Sequence, residues 1–227
     1  MKLLIALAAL AVGLTGSTAF GQGSLNFVGI NNVQFNANGD SFQLNPVAGS
    51  SLTPQFTFTG ADAGLAGWIT GAPWAVNMAG LTTATGGGLT NEQAPVFGGG
   101  QLNIFDGTNT LTGILAWSPI HLLSNGQGGV GDSLSVNLTG LTYAGTNADL
   151  LALAAGGSGN LNLTFQFSGL NPTLVSLFAG NTGTTSTSFS GAISVAAVPE
   201  PAITALFLTS LSLLGVNRWR HASFARS

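Results

Sequence analysis

Between Leu3 and Asn217 this 227-residue chain carries one histidine, His121, and no lysine, arginine or cysteine. That inventory limits its chemistry. A serine nucleophile needs a base and an orienting acid, yet there is no Gly-x-Ser-x-Gly elbow, and Ser118 and His121 are merely neighbours across Pro119. A metal site made of several imidazoles or thiolates cannot be assembled. Within residues 22–196 six acids remain: Asp40, Asp62, Glu92, Asp106, Asp132 and Asp149. Two carboxylates about 5–10 Å apart are what glycoside hydrolysis requires. Most of the six, however, stand in turn contexts such as Gly39-Asp40, Asp106-Gly107 and Gly131-Asp132, where an aspartate bonds its own backbone. Glu92 is the least turn-like. No catalytic residue is assigned and the chain is read as non-enzymatic. No cofactor is expected. Calcium, which takes hard oxygen ligands, has its best candidates in Asn36-x-Asn38-Gly39-Asp40 and Asp106-Gly107-Thr108-Asn109. Trp68, Trp74 and Trp117 are candidates for stacking on sugar rings, although the large area of a tryptophan is worth most when buried.

Charge narrows the partners. The four cations are Lys2, Arg218, Arg220 and Arg226, all terminal, so residues 22–196 with six acids and no Lys or Arg have a formal charge of −6. A nucleic-acid binder draws its affinity from cations that neutralise phosphates, and this body repels a polyanion. Nucleic acid is excluded as a partner. Phosphorylated ligands and anionic headgroups lose their usual cationic contacts for the same reason.

Such candidates must be held by a fold without disulfides or ion pairs. From Ser24 to Val195 the chain reads as short alternating runs separated by Gly, Asn, Asp, Ser and Pro. Phe56 and Phe58, Leu102 and Ile104, and Leu134, Val136 and Leu138 each alternate with other residues. In Leu161-Asn162-Leu163-Thr164-Phe165-Gln166-Phe167-Ser168 a period of two places four apolar side chains on one face. Asn38-Gly39 and Asp106-Gly107 match type I′ hairpin turns. Asn147 to Gly156 reads as a helix, with Asn147 as cap, Asp149 in the first turn and Gly156 just past the end. The expected body is all-β, with ten or more strands in a β-sandwich or jelly roll with one short helix.

Both ends differ from this body. Residues 1–21 comprise Lys2, an apolar run Leu3 to Leu14 and a small-residue exit through Ala19 to Gly21, the pattern of a secretory signal peptide. Residues 197–227 contain Val198-Pro199-Glu200-Pro201, an apolar stretch Ala202 to Val216, and a basic end with Arg218, Arg220 and Arg226. Pro199 and Pro201 disfavour the helical region for the residues before them, so the motif is held extended. The stretch of 15 residues spans about 23 Å as a helix, short of a hydrocarbon core near 30 Å. It also contains Thr204, Thr209, Ser210 and Ser212, which makes it a weak span. The arginines place the C-terminal end in the cytoplasm and the body outside.

This order of parts resembles the PEP-CTERM sorting signal, although Trp219 interrupts the basic cluster where that family often shows a tighter arginine run. The resemblance is confined to residues 197–227. It implies recognition by a membrane transpeptidase of the exosortase type after signal peptidase has acted, an inner-membrane intermediate held by the C-terminal helix, and release to the cell surface or extracellular matrix. The resulting expectation is an exported, non-enzymatic surface or matrix protein. A carbohydrate-binding sandwich at the same address, with polysaccharide as partner, is the second reading and a secreted glycosidase the third.

Residues 22–196 should pass unretained through a heparin column even at low salt, because they have no cation with which to release counterions. Retention would contradict the charge argument.

Overall fold

The computed structural model describes residues 24–45, 52–124, 131–167, 172–179 and 183–195, all within the compact unit Gln22–Ala196. The signal peptide, sorting motif, apolar tail and basic end expected from the sequence lie outside the described residues. The described chain is mostly β-strand, with few helical segments. Among these residues no helix is long and apolar enough to cross a membrane.

Four long strands form the centre: β11 (Thr110–Ser124), β12 (Gly131–Thr142), β13 (Ser158–Gln166) and β14 (Thr184–Val195), paired antiparallel in that order. At both flanks the sheet forks. The C-terminal half of β14 pairs with β1 (Ser24–Gly29), from Ser24 opposite Ser194 to Val28 opposite Ser190, whereas its first residues pair with β2 (Val33–Asn36). On the far side, β11 pairs through Thr110–Ile114 with β10 (Gln101–Phe105), then is irregular between Trp117 and Ile120, where Pro119 has no N–H to give, and pairs through Ile120–Ser124 with β8 (Leu89–Ala94).

The first branch closes on itself. β1 pairs with β4 (Phe56–Phe58), β4 with β5 (Ala66–Thr70) and β5 with β10, so eight antiparallel strands return to their start and leave no free edge in that cycle. The second branch runs from β2 to β3 (Ser41–Leu44), β6 (Trp74–Val76) and β9 (Val96–Phe97), and Pro95 alone separates β9 from β8 on the other flank of β11. A hairpin partner, β7 (Thr82–Gly86), lies outside β8.

Period two in the sequence becomes the inside and outside of these strands. Phe56, Phe58, Leu102, Ile104, Leu134, Val136, Leu138, Leu161, Leu163 and Phe165 are all buried in one apolar cluster. Phe167, the fourth expected member of the β13 stripe, is partly buried against it just past the strand end. The predicted helix is α1 (Ala148–Gly156), whose Leu150 and Leu153 are buried as it packs against β12, β13, β14 and β1. Its Asn147 cap accepts hydrogen bonds from the N–H groups of Asp149 and Leu150, both at 3.0 Å. One boundary moves: Gly156 is the last helical residue and Gly157, at φ 66°, takes the left-handed cap.

The turn assignments need correction. Asn38-Gly39 belongs to a 3₁₀ turn, Ala37–Gly39, and the left-handed residue is Asp40 at φ 40°. Asp106 and Gly107 open a four-residue loop in which Gly107 is left-handed and Asp106 is not. Side-chain oxygens of Asn36 and Asp106 bond nearby N–H groups and set these shapes instead. The turn with positive φ at both central residues is Gly87-Gly88, joining β7 to β8.

Close approach fixes Gly191 as well, since a Cβ there would overlap the Asn162 carbonyl oxygen and the Phe27 ring. Gly191→Ala should cost about 1–3 kcal/mol, the scale of overpacking. In the same urea unfolding series Gly64→Ala, whose added methyl meets nothing within 4 Å, should stay within about 0.5 kcal/mol of the parent.

Candidate functional site

Every residue proposed for sorting, Val198, Pro199, Glu200, Pro201, Arg218, Arg220 and Arg226, lies outside the described residues. The last described strand, β14, runs to Val195, and in the sequence Ala196 and Ala197 stand between it and the motif.

The structure separates the three tryptophans. Trp74 is fully buried, donates its Nε1–H to the Gly99 carbonyl at 3.1 Å, and packs on Phe42 and Trp117 with ring centroids at 5.3 and 4.6 Å. It is a core residue with no ring face for a sugar, which corrects that expectation. Trp117 is partly buried in the same aromatic cluster, and its Nε1 is buried without a protein partner. Trp68 lies on the outer side of β5, opposite Asn103 of β10, between buried Gly67 and Ile69. It makes no ring contact with either of the others among the described residues, so the three do not form one platform.

His121 faces outward on β11, between buried Ile120 and Leu122, and its cross-strand neighbours are Gln93 and Ser133. Neither neighbour is an acid. Glu92, in contrast, is buried and accepts the Leu174 N–H at 2.5 Å, tethering the turn that buries Leu174, Leu177 and Phe178. Asp132 stands opposite Leu122 and Phe165 in the ladders.

Three other acids, Asp62, Asp106 and Asp149, lie where loops meet the start of α1. Oδ1 of Asp106 accepts the N–H groups of Thr108 at 2.7 Å and Asn109 at 2.6 Å, and its Oδ2 accepts the hydroxyl of Tyr143. That hydroxyl oxygen accepts the Asn147 N–H at 3.1 Å in turn. One tyrosine thus ties the β10–β11 loop to the helix cap. Backbone donation from Asn109, then the Tyr143 hydroxyl, hold the Asp106 carboxyl below its ordinary range, while desolvation and then Asp106 push the Tyr143 phenol above its own. Asp62, in the 3₁₀ turn Gly60–Asp62 between β4 and β5, lies near Asp149 of the first helical turn. Desolvation first, and then the neighbouring Asp149 carboxylate, raise the Asp62 carboxyl. This carboxylate pair was not legible in the sequence, because 86 intervening positions give no signal of contact.

Among the described residues no three of His, Cys, Asp and Glu are grouped as metal ligands. In the two candidate calcium loops the Asn36 and Asp106 oxygens accept hydrogen bonds from the protein.

A groove of about 90 Å³ lies over β2, β3 and the start of β14. Its polar wall is Gln34, Asn36, Ser41, Gln43 and Thr184, and Phe42 and Pro73 complete it. Gln34, Asn36, Ser41 and Gln43 alternate with buried Val33, Phe35, Phe42 and Leu44, the period of two that places them outside. Gln34 and Gln43 face each other across the ladder, and Gln43 donates Nε2–H to Gln34 Oε1 at 3.1 Å. The alternation was readable in the sequence; the pairing of β2 with both β3 and β14 was not.

Neither a family model, a curated protein nor a solved structure matches this chain.

A raised folded-state value for Asp62 means that its protonated form favours the fold. The stability this contributes is fully present below the ordinary aspartate value and lost as pH rises through the folded one. Asp62→Asn should therefore stabilise the chain at pH 7, by about 0.3 kcal/mol given solvent screening of an exposed like-charge pair. The gain should vanish near pH 3 in paired thermal unfolding scans. An equal gain at both pH values would show that charge is not its cause.

Proposed function

We propose that this is an exported, non-enzymatic protein of the cell surface or extracellular matrix, delivered by residues 1–21, folded over 22–196 and sorted through 197–227. The observation that carries the proposal is the order of parts at the C-terminal end: an extended acidic motif Val198-Pro199-Glu200-Pro201, an apolar stretch too short and too polar for a comfortable permanent span, and then Arg218, Arg220 and Arg226. Signal peptidase and an exosortase-type transpeptidase are its partners during export. The membrane holds it only between the two cleavages.

The body supports this reading in two ways. We take it as a sandwich in which the shared sheet β11–β14 faces the two branches, held by strand ladders and apolar packing. Its last strand ends two residues before the motif, so the transpeptidase would meet the motif directly beside a folded domain.

In a host with the matching enzyme, intact mass should show cleavage near Val198-Pro199-Glu200-Pro201 and loss of the tail. The mature protein, without Lys or Arg, should then survive trypsin as one large fragment even when denatured. Glu200→Ala or Pro201→Ala should leave it in the inner membrane, and Arg218 and Arg220 changed together to Ala should weaken its retention and orientation. A surface fraction that still carries the whole tail would make these residues a plain anchor.

A further inference from the structure

We propose that the groove over β2, β3 and β14 is a binding site for a neutral, polyhydroxylated ligand, one edge of a sugar in an uncharged polysaccharide. The inference is independent of the sorting reading.

Charge restricts the ligand first. Gln34, Asn36, Ser41, Gln43, Thr184, Phe42 and Pro73 include no ionisable side chain. An anion would find no counter-charge in a body with six acids and no Lys or Arg, and a cation would find no carboxylate in the wall.

Hydrogen-bonding capacity restricts it further. The bond from Gln43 Nε2 to Gln34 Oε1 uses one donor and one acceptor of the pair. Gln34 keeps both N–H donors, and Gln43 keeps a carbonyl oxygen and its second N–H. Donors and acceptors therefore stand side by side on adjacent strands. Vicinal hydroxyls, each able to donate and accept, match such a set, whereas a purely apolar ligand would leave it unpaired. The mutual bond and the buried Phe35 and Phe42 between these outward residues hold the amides in place before a ligand arrives.

Size argues for a polymer. Pockets that enclose a whole small ligand run to about 300–1,000 Å³, and this one, at about 90 Å³, takes only the edge of a ring. Beyond it the surface stays uncharged: Ser186 of β14 is in register with Gln34, and exposed Ser188, Gln166, Thr164 and Asn162 follow over β14 and β13. Neighbouring sugars would lie along this path and not on the tryptophans.

The test is calorimetric titration of the full-length chain, held in a detergent without sugar headgroups, with cellohexaose, laminarihexaose and maltohexaose, and with oligogalacturonate as the anionic control. At least one neutral probe should bind with a Kd of about 1 mM or tighter, and oligogalacturonate should not bind. Gln34→Ala with Gln43→Ala should weaken binding at least about tenfold. Thr184→Leu, a change at an exposed position that fills the groove without touching the core, should do the same. Trp68→Ala should leave affinity within about twofold. Circular dichroism of each variant confirms that the fold is intact. The proposal is overturned if no neutral probe binds, if oligogalacturonate binds as well as they do, if binding survives Thr184→Leu, or if Trp68→Ala abolishes it.

Discussion

The antiparallel ladder of β14 is the interaction on which the other elements depend. One edge of this strand pairs with β13, and the other changes partner midway, from β2 at its start to β1 at its end. The change lets one four-stranded sheet feed two branches, and it requires the chain between β1 and β2 to turn past Phe189. Gly29 makes room there, since any Cβ would overlap the Phe189 ring. Proline supplies the matching break on the far flank, at Pro119 in β11. Without disulfides, ladder hydrogen bonds and apolar packing are what must hold such a chain.

Neutral and acidic side chains do the bridging that ion pairs do elsewhere. Gln55 is fully buried, accepts the Ile69 N–H at 2.7 Å and donates to the Leu44 carbonyl at 3.5 Å, and so spans the two branches. Glu92 pins Leu174, Tyr143 joins two loops through Asp106 and Asn147, and Thr187 donates to the Gln166 carbonyl. A buried polar group left unpaired costs more than a typical hydrogen bond contributes, so these links specify the arrangement as well as stabilising it.

The same economy shapes the surface. Outward positions on β12, β13, β14 and β1 are occupied by Ser133, Ser135 and Asn137, Asn160, Asn162 and Thr164, Ser190 and Ser194, and Ser24 and Asn26. A face of hydroxyls and amides stays wetted without attracting polyions.

Much of this was legible from composition and period. Alternation in Leu161 to Phe167 assigned inside and outside because strand side chains repeat every two residues, and Asn147 with the glycines after Ala155 marked α1 because cap chemistry is local. The cation-free body and the C-terminal order of parts are properties of the sequence alone. Partner choice is not local. Whether Trp74 packs inward, whether Asp62 meets Asp149 and whether Gln34 faces Gln43 depend on which distant strand lies alongside, and short glycine-rich runs of similar apolar residues carry little information about that. Pairing was decided only when the branches closed around a common core, because the free energy that selects one register over another is the burial of a whole face at once.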